Sequence, residues 1–131
     1  MIVVDASALL EVLLRTRAAA AIERRLFDEP RQTLHAPHLL DVEVAQVLRR
    51  YAANGEIDEQ RGRAALADLA DFPIRRYPHD FLLPRMWSLR SNFTAYDAVY
   101  VALAEALDAR LLTRDQRLTA AVRRHVGIAL A

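Results

Sequence analysis

Four acidic residues stand where a parallel α/β chain would gather them: Asp5, Glu43, Asp97 and Asp115. Asp5 directly follows the β-branched run Ile2-Val3-Val4, and Asp115 comes two residues after Leu111-Leu112-Thr113. Both runs read as short buried strands, which puts both acids at the carboxyl edge of a sheet, where ligands collect in folds of this kind. Each also has a plainer reading, because Asp at a strand-to-helix turn commonly caps the helix. Asp97 lies three residues after Thr94, in a start that resembles a capping box. Glu43 resists such a reading. Leu39 and Val47 are four residues before and after it, and Leu40 is three before, so Glu43 projects from the apolar stripe of its helix. A carboxylate there needs compensation, from an Arg in an internal ion pair or from a metal. Asp41, two residues earlier, reads as solvated.

The four acids together suit an oxygen-ligated divalent cation, magnesium or manganese. Zinc fits poorly, since His35, His38, His79 and His125 show no ligand spacing and read as surface or structural residues. Without a cation the cluster repels itself. Two carboxylates about 4 Å apart cost on the order of 4 kcal/mol at an effective dielectric of 20, and strain of that size is seldom kept without a use.

The elements that must position these acids are legible as alternating periods. After the first strand, helical pattern runs from Ala8 to Leu14 and again from Ala18 to Phe27. Thr33 to Ala36 reads as a second strand ending before Pro37. His38 to Ala53 is helical, closed by Asn54-Gly55. A further helix runs from about Asp58 to Ala70, and Phe72 to Tyr77 reads as a strand. The segment from His79 to Arg90 is helical, with Pro84 starting or kinking a helix. Thr94 opens a strong helix that carries Val99, Leu103 and Leu107 on one face. Leu111 to Thr113 is a strand, Asp115 to Arg124 a helix and Gly127 to Ala131 a last strand. This alternation predicts an α/β fold, a central parallel sheet of about five short strands with helices on both faces.

The chain has 131 residues and shows no linker, repeat or low-complexity tract, which predicts one domain spanning residues 1–131. Its apolar fraction of 53% hints at an apolar surface kept for a partner or a second subunit. Net charge is +1, from 18 basic and 17 acidic residues, so any nucleic-acid contact must come from a local Arg cluster. Every basic residue is Arg. The absence of Cys excludes disulfides, thiolate metal sites and Cys nucleophiles. The longest wholly apolar stretch, Ala98 to Ala104, is too short to cross a bilayer, and the first residues do not read as a signal peptide, so the expected location is the cytoplasm.

These residues also carry a resemblance. The chain is similar to PIN-domain ribonucleases, especially the VapC-like toxins of bacterial toxin–antitoxin pairs. The anchors are Val4-Asp5-Ala6-Ser7-Ala8-Leu9, Glu43 in the helix after Pro37, the run from Tyr96 to Glu105, and Leu111-Leu112-Thr113-Arg114-Asp115. The resemblance spans nearly the whole chain. It implies a metal site built from Asp5, Glu43, Asp97 and Asp115, with the hydroxyls of Ser7 and Thr113 supporting those acids. It also implies an RNA substrate, a homodimer, and a cognate antitoxin that covers the site.

On that basis the expected chemistry is metal-assisted hydrolysis of an RNA phosphodiester by an activated water. Asp5, Asp97 and Asp115 hold the cation directly or through water, and Glu43 adds to the coordination or orients the attacking water. Arg114 and Arg90 are the candidates for holding flanking phosphates. The competing reading is a catalytically silent PIN-like scaffold or RNA-binding module. A phosphorelay receiver would need a Lys, aspartyl phosphatases usually carry a second Asp where this chain has Ser7, and no Gly-rich phosphate loop is present.

Overall fold

The computed structural model describes residues 1–131. The chain runs through β1 (Ile2–Val4), α1 (Ala6–Leu13), α2 (Ala19–Phe27), β2 (Leu34–Pro37), α3 (Leu39–Ala53), α4 (Glu59–Asp71) and β3 (Ile74–Tyr77). A 3-10 turn (Asp80–Leu82) leads into α5 (Leu83–Ser88), then α6 (Ala95–Leu107), β4 (Arg110–Leu112) and α7 (Gln116–His125). The sheet has four strands in the order β3-β2-β1-β4, and every pairing is parallel.

β1 is the hub. Ile2, Val3 and Val4 are each 0% exposed. Successive strand side chains point to opposite faces, so full burial of all three means that both faces are covered. The run from Ala98 to Ala104 along α6 is buried throughout, and this helix packs across β1, β2 and β4. Continuous burial around a helix is the mark of one sunk into the core. The buried hydrophobic residues form one contiguous cluster of 34.

One boundary departs from expectation, and one strand is curtailed. β2 includes Pro37, opposite Tyr77 of β3. The proline is tolerated because β1 pairs with β2 only through Leu34 and His35, and the next bond toward β3 comes from the His38 N–H to the Tyr77 carbonyl at 2.9 Å. Pro84 sits in the first turn of α5, where its missing N–H costs nothing. The expected fifth strand, Gly127 to Ala131, is a single parallel bridge between Leu130 and Leu111. Gly127 and Ala129 face solvent and offer little side chain to pack, so the pairing stops there. No helix is long and apolar enough to cross a membrane.

Candidate active site

The topology brings the ends of β1 and β4 side by side, since Val4 pairs with Leu112. The Asp5 N–H continues that ladder to the Leu112 carbonyl at 3.1 Å. Asp5 then caps α1, its Oδ1 accepting from the Ala8 N–H at 3.0 Å and from the Ser7 hydroxyl at 2.7 Å. The other oxygen, Oδ2, accepts a short bond from the Thr113 hydroxyl. Thr113 also receives the Asp115 N–H at 3.0 Å, and Ser7 receives the Arg114 N–H at 2.8 Å. Ser7 and Thr113 thus tie the β1–α1 turn to the β4–α7 turn and hold the carboxylate of Asp5 in one orientation. Asp115 caps α7, with Oδ1 accepting from the N–H groups of Arg117 and Leu118 at 2.9 and 3.3 Å.

Capping and a site are therefore not alternatives for these two Asp residues. A carboxylate that caps with one oxygen still presents the other. Asp97 lies in the first turn of α6, its N–H on the Thr94 hydroxyl at 3.1 Å. Glu43 comes from α3, with Oε1 accepting from the Tyr100 hydroxyl at 2.6 Å.

Asp5, Glu43, Asp97 and Asp115 line one cavity of about 740 Å³. Asp5 is 6% exposed, and the other three are half-buried. None of them is in an ion pair; the salt bridges of this protein are Arg63–Glu59, Arg76–Asp41 and Arg85–Glu105. The Arg partner that would have made Glu43 an ordinary internal ion pair is not there. Asp41 takes that role instead. Its side chain is still 43% exposed, but it accepts from Arg76 Nε at 2.8 and 3.0 Å, because β3 lies beside the start of α3.

The uncompensated charge shows in the proton affinities. Burial pushes the Asp5 carboxyl above its ordinary value, opposed by the hydrogen bonds from Thr113, Ser7 and Ala8 and reinforced by the charge of Asp115. Glu43 is raised by burial and by Asp5 and Asp97, against the Tyr100 hydroxyl. Asp97 is raised by burial and by Asp115, against Thr94. Tyr100 is pushed far up by burial and by Glu43, so its hydroxyl stays protonated as a donor.

Oxygen donors alone, in a partly dry cavity with surplus negative charge, are the donor set of a hard divalent cation. The four carboxyls share the cavity without any three closing into a preformed cage. That openness suits a cation that keeps part of its water shell.

Arg114 lines the cavity beside Asp115. Arg90 does not: it lies just past α5, with its guanidinium 4.5 Å from the Trp87 ring and bonded to the Trp87 carbonyl at 3.0 Å. Sequence alone assigned no role to several other lining residues, among them Glu11, Gln46, Arg50 and Tyr100. Tyr100 is three residues after Asp97 on α6, so the two share a face. Gln46 and Arg50 follow Glu43 by three and seven residues on α3, again along one face. Those spacings were the available signal.

Comparison with known proteins gives consistent matches. A family model described as PIN domain matches residues 2–123. Ribonuclease VapC1 of Mycobacterium tuberculosis is 49% identical over 120 residues, 91% of this chain and 89% of that protein. Ribonuclease VapC9 of the same species is 47% identical over 119 residues, with 91% and 89% covered. Among solved structures, a toxin–antitoxin complex from Klebsiella pneumoniae superposes with a TM-score of 0.62 at 21% identity, covering 88% of this chain and 87% of that one.

Proposed function

Because this chain belongs to the PIN-domain family, among its VapC-like ribonucleases, we propose that it is the toxin of a toxin–antitoxin pair, an endoribonuclease whose metal site is Asp5, Glu43, Asp97 and Asp115. One observation carries the site: acids from four separate elements line a single cavity with no cationic side chain paired to them. A silent scaffold would have no reason to keep that repulsion.

Asp5, Asp97 and Asp115 would hold magnesium or manganese, directly or through water. The bound cation supplies Lewis acidity, which makes water a nucleophile near neutral pH and offsets charge developing on the phosphoryl oxygens. The protein's own groups do the rest. Ser7 and Thr113 keep the Asp5 carboxylate aimed while the cation is absent. Tyr100 pins Oε1 of Glu43, leaving Oε2 to take the proton of the attacking water. A carboxyl raised by burial is a better base than a solvated one. Attack on phosphorus breaks the bond to the 3′ oxygen, which leaves a 5′-phosphate and a 3′-hydroxyl. Arg114 and Arg50, which line the cavity, neutralise flanking phosphates, while the acids beside them repel RNA until a cation is bound.

The partners follow the same reading: an RNA substrate, a cognate antitoxin covering the site, and a second copy of this chain in a homodimer. Phe81, Leu83 and Trp87 are 55, 52 and 68% exposed on one short stretch and provide apolar surface for protein contacts. The cytoplasm is the expected place of action. The test is a cleavage assay on structured RNA with magnesium or manganese, paired with calorimetry of metal binding. Glu43→Gln should fold as the parent does but cleave slowly, and the parent's products should carry 5′-phosphates. Cyclic phosphate ends, or full activity in excess EDTA, defeat this reading.

A further inference from the structure

A second, smaller space adjoins the acid cavity. Leu39, His79, Met86, Ala95, Tyr96 and Val99 enclose a cleft of about 150 Å³ where α3, α5 and α6 meet. Five of the six lining residues are hydrophobic, and His79 is the polar one. Leu39 and Tyr96 line both spaces, so the cleft borders the acid cavity along these two side chains. Tyr96 immediately precedes Asp97, yet the residue is 64% exposed and contributes little to the core.

We propose that this cleft takes one nucleobase of the RNA, from a nucleotide flanking the scissile phosphate, stacked on Tyr96 and seated against Leu39, Met86 and Val99. The inference rests on the ribonuclease reading above and names a specificity subsite for it. The scissile phosphate belongs to the acid cavity, and Tyr96, the residue before Asp97, lines that cavity too, so a base flanking the phosphate can meet its ring. Sequence-specific binding of single-stranded RNA works by splaying bases onto aromatic rings. The cleft is poorly suited to the backbone, since its lining holds no Arg and the carboxyls of the adjoining cavity repel phosphate. The base is the one part of RNA that is flat and apolar on its faces. An apolar space of about 150 Å³ accommodates a single six-membered ring, so a pyrimidine fits inside and a purine protrudes. His79, at the rim, is placed to bond a base edge.

The test uses oligoribonucleotides cleaved at one site, with a pyrimidine, a purine or an abasic residue at each flanking position. At one of these positions the abasic residue should raise KM roughly ten-fold with little change in kcat, and the pyrimidine should outperform the purine. Tyr96→Ala should erase the difference between base and abasic site, and Tyr96→Phe, which keeps the ring, should restore it. Met86→Trp, which fills the cleft from α5, should reproduce the alanine result. Fluorescence anisotropy with Asp5→Asn, an uncleaving form, reads the same preference as binding alone. Equal KM for base and abasic site at every position overturns the proposal. So does a folded Tyr96→Ala variant whose base dependence is intact, or one in which only subunit association changes by light scattering. If the parent cleaves no RNA at all, the ribonuclease reading itself has failed; if it cleaves but ignores the base, only the subsite has.

Discussion

Two polar clusters in this protein solve the same problem in opposite ways. On β2 and β3, His35 is 5% exposed, and both of its ring nitrogens are bonded, one to the Thr33 hydroxyl and one to the Tyr77 hydroxyl, each at 2.7 Å. Burial, the amino terminus and Arg75 all hold its pKa below the ordinary value, so the ring is neutral and its bonding is complete. The acid cavity also buries polar groups, but there three carboxyls are raised by burial and by the charge of neighbouring acids, and no cationic side chain is paired with them. A closed network stabilises the fold; an open one of like charge is a site waiting for a counter-charge. Even within α3 the contrast holds, since Asp41 is paired with Arg76 while Glu43 is not.

The largest expected effect breaks the comparison at the acids. Asp97→Asn should lower cleavage on the order of 10³-fold, the several kcal/mol that metal-borne charge stabilisation is worth, while circular dichroism stays unchanged. A variant that still cleaves at a tenth of the parental rate would remove Asp97 from the machinery. Next, metal should stabilise the acid cluster. At a hundred times its dissociation constant, a cation that binds only the folded state adds about 2.7 kcal/mol, read as a rise in Tm. A melting curve indifferent to magnesium and manganese would sink the cluster. Third, His35→Ala should strike the other region. It strands the Thr33 and Tyr77 hydroxyls and should cost about 1–3 kcal/mol of stability, with cleavage per folded molecule unaltered. Loss of activity without loss of stability would show that the two regions are coupled.

The smallest effect is in pH, and there the clusters pull in opposite directions. Carboxyls raised in the folded state make the native protein bind more protons than the unfolded chain. Metal-free stability should therefore fall as pH rises from the ordinary carboxylate range through the raised values. Asp97→Asn should flatten that slope and melt no lower than the parent in EDTA. The lowered pKa of His35 works the other way. The unfolded chain binds the extra proton, so stability should drop as pH falls below the ordinary histidine value of about 6.5, and His35→Gln should remove this dependence. Urea titrations across pH 4 to 8 would separate the two slopes.

Much of the cavity could be foreseen. The strand runs ending beside Asp5 and Asp115, and the position of Glu43 on an apolar stripe, are local patterns, and local patterns survive in sequence. The contacts that orient those acids are not local. Tyr100 reaches Glu43 across 57 positions and Thr113 reaches Asp5 across 108, and nothing in either neighbourhood announces the other. Arg90 was misplaced for the same reason: its distance from Thr94 along the chain said nothing of its stacking on Trp87. The fifth strand failed because pairing needs a partner edge and buried side chains, and residues 127–131 supply few of either.

By itself, the sequence determined the kind of chemistry open to this protein. It has no thiol and no lysine, and its four histidines show no ligand spacing, so the acids and the hydroxyls beside them are the groups it sets out for a cation. Periodicity determined the alternation of strand and helix as well. What only the tertiary structure decided is which acids are left over. Asp41 and Glu43 are two residues apart on one helix, yet packing gives Arg76 to the first and a neutral hydroxyl to the second. Charge compensation depends on distances through space, which packing sets and residue order does not.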